Sequence, residues 1–182
     1  MPSDSRRCGS SFSKAQRSRD SIINRQQQLL AALELQADLA DYWADVDTAW
    51  GTRAGEYYTE DAVFESGRLK LEGREAIQRF YSWREGRGAR TAVHAVTNFR
   101  ATFDDEGGAV AHWYMLLYAA DGEPVLPTHS PVRVSRIMDH YKKDPTSGRW
   151  LCRYRRLQTL FEGGSLLNVP ADVGKASKDK TP

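Results

Sequence analysis

Asp47 and His94 are the two residues in this chain whose chemistry suits proton transfer near neutral pH. A carboxylate bonded to one nitrogen of an imidazole selects its tautomer and stabilises the imidazolium that forms when the ring takes a proton. Imidazole titrates near ~6.5, so a neutral histidine is available as a base at pH 7. No other group in the sequence is of comparable catalytic quality. If the fold joins the two residues, we expect an acid–base enzyme.

Each residue also has a purely structural interpretation. Asp47 is well suited to cap the segment that begins at Thr48, since Asp is favoured at helix starts. His94 alone fits a buried histidine whose nitrogens are satisfied by neighbours in the core. The residue types alone leave both interpretations open.

The elements that must position this pair follow from hydrophobic periodicity. Asp47 comes directly after an amphipathic stretch, Leu29 to Val46, which predicts a helix. The apolar side of that helix is predicted to consist of Leu29, Leu33, Leu39, Trp43, Val46 and Trp50. His94 lies instead in an alternating run after Gly88, where the period changes from helical to strand-like.

The remaining pattern is that of an α+β domain. A short strand and a further helical segment after Gly73 are followed by four long strands separated by turn residues. The predicted strands are Ala62–Glu65, Arg90–Phe103, Ala109–Ala119, Pro131–Tyr141 and Arg149–Phe161. We expect a strongly curved sheet wrapped around the helices.

Alternation along the first long strand places His94, Val96 and Asn98 on one face. Both faces of this strand contain apolar residues, so both are expected to be covered. Polar groups on a covered face need partners, because an unpaired buried polar group is costly. Asn98 is therefore a candidate to act beside His94.

Three segments carry a resemblance to a known family. They are Tyr58–Phe64 (YTEDAVF), Leu71–Ile77 (LEGREAI) and His94–Asn98 (HAVTN), and their order matches as well. Over roughly residues 29–163 the chain resembles the nuclear transport factor two-like superfamily. Within it the chain is most similar to the SnoaL-like group, which includes scytalone dehydratase and hexachlorocyclohexane dehydrochlorinase.

The resemblance implies a conical half-barrel with a deep apolar pocket at its open end and no metal or organic cofactor. In the dehydratase-like branch an Asp at the end of the first helix holds a pocket His, and Asp47 and His94 match these two positions. Asn98 matches a pocket amide. The two tyrosines and the second histidine of scytalone dehydratase do not align cleanly here, so the resemblance does not specify the substrate.

The substrate-binding candidates are drawn from polar and aromatic residues near the expected pocket. They are Asn98, Tyr57, Tyr58, Trp43 and Tyr114. A hydroxyl or amide among them would stabilise the anion that develops as a proton leaves. Trp43 is equally suited to the core.

Three classes of function are compatible with these residues. The first is a cofactor-independent lyase, a dehydratase or related eliminating or retro-aldol enzyme, for a hydrophobic, cyclic or aromatic small molecule. The second is an isomerase or cyclase with the same base. The third is a non-catalytic ligand-binding or oligomerisation domain. The dyad favours the first two, and we expect a lyase.

Charge and composition bear on the partners. The net charge of +2 comes from the ends, because residues 1–28 carry six basic and two acidic residues. The central region is thus slightly acidic, which argues against nucleic-acid binding. We expect a disordered basic leader at 1–28, the folded domain at 29–164 and a disordered tail at 165–182.

Cys8 and Cys152 form no disulfide framework or metal-binding spacing, so free thiols and a cytoplasmic location are expected. No apolar stretch approaches the ~18 residues of a membrane span. A curved open sheet has a face that needs cover, so a homodimer or homotrimer through the sheet is expected. Tyr141, Tyr154 and Arg155 would suit that interface.

Overall fold

The computed structural model describes residues 9–104, residues 106–163 and Val173, with side chains from Asn24 onward. The elements are α1 (Gly9–Thr48), β1 (Tyr58–Ser66), β2 (Leu69–Glu72), α2 (Arg74–Glu85), β3 (Arg90–Phe103), β4 (Gly108–Asp121), β5 (Arg133–Lys143) and β6 (Trp150–Glu162). A short 3-10 helix, Ala54–Tyr57, precedes β1. The bounds of the four long strands agree closely with those predicted from alternation.

The six strands form one mixed sheet in the order β2-β1-β6-β5-β4-β3. Neighbouring strands are antiparallel, except that β1 pairs with β6 in parallel. The sheet is curved and does not close into a barrel, and the two helices contact it. This architecture confirms the predicted α+β cone.

Helix α1 supplies one side of the core. Among its residues from Asn24 onward, the buried ones are Leu35, Leu39, Tyr42, Trp43, Asp45 and Val46, each at most 5% exposed. The predicted apolar side was wrong at its beginning, because Leu29 and Leu33 are 57% and 62% exposed. The prediction failed because apolar residues occur on two sides of this helix. A series of steps of three and four residues can join residues of the exposed side to residues of the buried side.

The helix ends one residue after Asp47. Trp50 and Gly51 adopt the left-handed backbone conformation, with φ of 60° and 72°, and the Gly51 N–H donates to the Asp45 carbonyl oxygen at 3.0 Å. The Asp45 carboxylate also accepts a hydrogen bond from the Arg53 N–H at 3.0 Å. Asp45, rather than Asp47, therefore provides the contacts that close this helix end.

The predicted domain limits fall partly outside the described residues. Residues 1–8 and most of 165–182 lie outside them, while Val173 packs partly buried against the core. Helix α1 begins at Gly9, within the segment expected to be a leader. The division into leader, domain and tail stays a prediction.

Strand β3 contains a bulge that changes which residues face inward. Thr97 pairs with Tyr114 but Arg100 pairs with His112, so β3 holds one extra residue between these pairs. Asn98, in this interval, has φ of 54°, a backbone conformation that Asn tolerates better than most residues. Val96 packs on the core before the bulge, and Phe99, Ala101 and Phe103 do so after it.

Candidate active site

Asp47 and His94 meet where the end of α1 crosses β3. The Asp47 Oδ1 lies 2.6 Å from the His94 Nδ1, and its Oδ2 accepts the His94 backbone N–H at 2.8 Å. Both carboxylate oxygens thus bond to His94, and together they fix the positions of its backbone and of its ring. The side chains are 8% exposed for His94 and 16% exposed for Asp47.

This geometry defines the role of each ring nitrogen. A carboxylate accepts hydrogen bonds, so Nδ1 is the protonated nitrogen of the neutral ring and Nε2 carries the free lone pair. Within the described part of the chain, no group hydrogen-bonds to Nε2. Burial lowers the pKa of the His94 imidazole below its ordinary value of 6.5, while the hydrogen bond and charge of Asp47 act in the opposite direction. The ring is thus neutral at pH 7, as a general base must be.

Trp43 covers one face of the imidazole. The two ring centroids are 4.1 Å apart and the planes differ by 13°. Trp43 and Asp47 are four residues apart on α1 and so lie on the same side of the helix. Trp43 is 5% exposed, and its indole Nε1 is buried without a hydrogen-bond partner. A buried donor left unpaired is unfavourable, which makes this N–H a candidate to bond an oxygen of a ligand.

A buried ion pair lies on the core side of Trp43. Arg155 donates to Asp139 through Nε and Nη2, both at 2.8 Å, and its guanidinium lies 5.7 Å from the centre of the Trp43 ring. Asp139 also accepts hydrogen bonds from the Trp113 indole and the Tyr141 hydroxyl, each at 2.9 Å. The pair is thus bidentate and surrounded by further donors, as a buried ion pair requires.

Three tyrosine hydroxyls extend the hydrogen-bond network that begins at the Arg155–Asp139 ion pair. Arg155 Nη1 donates to the Tyr58 hydroxyl at 3.1 Å, and that hydroxyl donates to Tyr42 at 3.1 Å. The Tyr42 hydroxyl bonds in turn to that of Tyr81. Burial raises the pKa of all three phenols well above the ordinary value, so they stay protonated at neutral pH.

This interior cluster was missed from the sequence, and the interface expected for Tyr141 and Arg155 was wrong. Both residues are buried, at 7% and 2% exposure. Tyr141 pairs with Cys152 but His140 pairs with Tyr154, so β6 has an extra residue at Arg153. That bulge turns Arg155 inward after Cys152, which alternation placed on the opposite face. One signal in the sequence was available. Asp139 shares its strand face with the apolar residues Ile137 and Tyr141, and a carboxylate on an inward face needs a buried partner.

The predicted tyrosines Tyr57 and Tyr58 line a narrow, partly open cleft with room for about one water molecule. The cleft is lined by Asp38, Leu39, Tyr42, Tyr57, Tyr58, Tyr141, Trp150, Cys152 and Arg155. Asp47 and His94 do not line it. Ring contacts connect the cleft to the dyad, from Tyr58 to Tyr42 at 5.8 Å, Tyr42 to Trp43 at 4.7 Å, and Trp43 to His94.

The structure does not bring Asn98 and Tyr114 to the dyad. Asn98 lies in the β3 bulge, is exposed, and accepts a hydrogen bond from the Thr97 hydroxyl at 3.2 Å. Tyr114 is half-buried on the face of β4 opposite to Trp113, with the Arg136 guanidinium 5.9 Å from its ring. The geometry thus gathers Asp47, His94 and Trp43 at one place, and Tyr57 and Tyr58 at another.

Among the described residues, no group of three or more His, Cys, Asp or Glu side chains is placed to hold a metal ion. Cys152 is buried, and burial raises the pKa of its thiol, so it is protonated and unreactive at neutral pH. No described helix combines the length and the apolar character required to cross a membrane.

A curved, unclosed six-stranded sheet with two helices is the cone of the nuclear transport factor two-like, or cystatin-like, class of folds. A model of the SnoaL-like domain matches residues 27–156, which is most of the chain. The protein therefore belongs to the SnoaL-like domain family. A comparison with curated protein sequences finds no match.

Solved structures share this fold at low sequence identity. A putative scytalone dehydratase from Novosphingobium aromaticivorans is 17% identical, with a TM-score of 0.67, over 84% of this chain and 99% of that one. A protein of unknown function from Mycobacterium tuberculosis is 20% identical, with a TM-score of 0.62, over 85% and 83% of the two chains. ActVI-ORFA from Streptomyces coelicolor is 16% identical, with a TM-score of 0.60, over 70% and 95%. Identities this low establish the fold alone.

Proposed function

We propose that this protein is a cofactor-independent lyase that eliminates water or a halide from a hydrophobic, cyclic or aromatic small molecule. The observation that carries the proposal is the dyad: both oxygens of Asp47 bond to His94, and Nε2 of the neutral ring is left as an acceptor. The likeness to a putative scytalone dehydratase supports an elimination.

In the proposed reaction, His94 Nε2 takes a proton from a carbon of the substrate. The C–H electron pair forms the new double bond, and the leaving group departs from the adjacent carbon with its own bonding electrons. Asp47 stabilises the imidazolium formed in this step. The imidazolium then returns its proton to the departing hydroxide, which leaves as water, or to solvent if the leaving group is a halide. The dyad is regenerated unchanged.

Trp43 is proposed to position both the base and the substrate. Its stacked ring covers one face of the imidazole, so a substrate must approach Nε2 along the ring edge or from the other face. Its unpaired indole N–H would donate to a substrate oxygen on which negative charge develops. The aromatic ring of Trp43, stacked on the base, favours an apolar or aromatic ring over a charged ligand.

Two alternatives remain. An isomerase or cyclase would use the same base without a leaving group. A binding or oligomerisation domain is favoured by a different observation, namely that the dyad is largely covered and does not line the cleft beside Tyr57 and Tyr58. In that case the Asp47–His94 pair would only join α1 to β3.

The test incubates the protein with a panel of hydroxylated and halogenated cyclic compounds in D₂O. A lyase releases water or halide, and an isomerase or cyclase that uses the base without a leaving group converts the compound with loss of neither. The matched variants are His94→Gln and, as a control on the outer face of β4, His112→Gln. We expect His94→Gln to lower turnover at least ~100-fold while His112→Gln keeps it. Equal turnover in the wild type and in His94→Gln would refute a catalytic dyad.

A further inference from the structure

Helix α1 has a second apolar face that nothing in the described structure covers. Leu30, Leu33, Ala37, Ala40 and Ala44 follow one another at alternating steps of three and four residues, and all are exposed. Leu30 and Leu33 are 61% and 62% exposed, and Leu29 beside them is 57% exposed. Steps of three and four are the spacing of a helix–helix seam, and large exposed apolar side chains are uncommon on a monomer surface.

This face lies on the side of α1 that points away from its own domain. With about 100° per residue, the seam residues fall roughly opposite to Leu35, Leu39, Tyr42 and Val46, which form the buried side. The same helix can therefore pack on its domain and on a second helix at once. Alanines at three of the five seam positions allow two backbones to approach closely.

The length of α1 also calls for a partner. The helix has 40 residues, roughly 60 Å, and among its residues from Asn24 onward the first buried one is Leu35. Helical segments without tertiary packing are marginal in water. Residues 24–30 of α1 are all exposed, so this part of the helix gains little from packing on its own described domain.

The distribution of charge selects a second copy in the opposite orientation. Residues 9–28 contain four basic residues and one acidic residue, whereas residues 29–48 contain five acidic residues and no Lys or Arg, and of these five Glu34 and Asp41 are exposed. An antiparallel pair of α1 helices places the basic half of each chain beside the acidic half of the other. A parallel pair would place like charges side by side, which is unfavourable.

We propose that the exposed face of α1 joins two copies of this chain into an antiparallel helix–helix dimer. In an antiparallel helix pair, each seam residue lies beside a different seam position of the other helix. Leu30 therefore contacts the partner subunit's Leu33, and Gln26 contacts the partner subunit's Ala37. This interface is separate from the outer face of the sheet. It does not depend on whether the Asp47–His94 dyad is catalytic.

The first test is the mass of the full chain in sedimentation equilibrium. We expect a wild-type dimer, and a dissociation constant raised at least ~100-fold in Leu30→Glu/Leu33→Glu. The control is Val93→Glu, an acidic substitution at a 53% exposed position on the outer face of β3. It should leave the dimer intact. A monomeric wild type, an unchanged dimer in the double variant, or dissociation by Val93→Glu would each overturn the proposal.

The second test reports the orientation and does not depend on the folding of the acidic variant. In a Cys8→Ser background, Gln26→Cys/Ala37→Cys should form an intermolecular disulfide on mild oxidation, whereas Ala44→Cys alone should not. In a parallel dimer Gln26→Cys, Ala37→Cys and Ala44→Cys would each cross-link alone, since every seam residue would face its own copy, whereas in the antiparallel dimer none of the three single variants should. Efficient cross-linking of Ala44→Cys, or none in the double variant, contradicts the antiparallel seam.

Discussion

The Trp43 indole lies nearly parallel to the His94 imidazole, with ring centroids 4.1 Å apart, while Asp47 holds the ring edge through Nδ1. Both contacts come from one turn of α1, so a single helix end determines the position, tautomer and solvation of the histidine on β3. This arrangement leaves Nε2 as the ring atom available for chemistry and leads to several predictions.

Asp47→Asn should lower turnover far more than it lowers the melting temperature. An amide can keep a hydrogen bond to the ring but favours the wrong tautomer and cannot stabilise an imidazolium, so a loss of ~10²- to 10⁴-fold is expected. The matched control is Asp45→Asn, because Asp45 closes the end of α1 and does not contact His94. It should lower the melting temperature and keep most of the turnover. The reverse pattern would make Asp47 a structural residue.

The stability of the protein should depend on pH through His94. Because burial holds the pKa of His94 below 6.5 in the folded state, the unfolded chain binds more protons in the interval between the folded pKa and about 6.5. The contribution is complete above about pH 6.5 and is lost as the pH falls toward the folded pKa.

Urea denaturation between pH 5 and 8 measures this dependence. In His94→Gln the slope below pH 6.5 should become smaller, whereas His129→Gln, in the exposed loop before β5, should leave it unchanged. An identical slope in the wild type and in His94→Gln would show that the histidine titrates normally.

Trp43→Ala should raise the pKa of His94 toward 6.5, because desolvation is the main cause of its depression and the stacked ring excludes water. The same change should destabilise the fold by ~3–5 kcal/mol through loss of a buried ring. Trp43→Phe keeps an aromatic ring over His94 and removes only the indole N–H. NMR titration of the His94 ring should show a raised pKa in Trp43→Ala and a curve close to that of the wild type in Trp43→Phe. A reversed order would exclude Trp43 as the cover of the ring.

Asp139→Asn should cost ~3–5 kcal/mol of unfolding free energy, because it leaves the Arg155 charge buried without its counter-ion. Adding Arg155→Met to Asp139→Leu should recover much of the loss suffered by Asp139→Leu alone. For comparison, Glu162→Gln removes the partially exposed pair with Arg133 and should cost less than ~1 kcal/mol. Equal losses for the buried and the exposed pair would show that the Asp139–Arg155 pair is not essential to the core.

Local patterns were enough to predict the architecture. The change from helical to alternating period at Gly88 and the turn residues between strands predicted β3 to β6 within a few residues, because these signals depend only on neighbouring residues. The pairing of Asp47 with His94 was reached through the resemblance of short segments to a known family, and the structure places the two side chains in contact.

Which side chains of a strand face the core was harder to predict. Asn98 and Arg155 were both assigned to a face by strict alternation, and a bulge at Asn98 and another at Arg153 shift that alternation by one residue. An extra residue in one strand is defined only by its pairing with the next strand, so no single strand's sequence reveals it.

The sequence by itself determined the order of the helices and long strands, the limits of those strands and the presence of a carboxylate and an imidazole suited to proton transfer, since these follow from periodicity, turn chemistry and residue type. The tertiary structure decided which residues surround that pair. It stacked Trp43 on His94, moved Asn98 away and turned Arg155 inward against Asp139. It also left Leu30 and Leu33 exposed on α1. Each of these outcomes depends on the register between strands or on which side of a helix meets the sheet, and those are relations between segments distant in the chain.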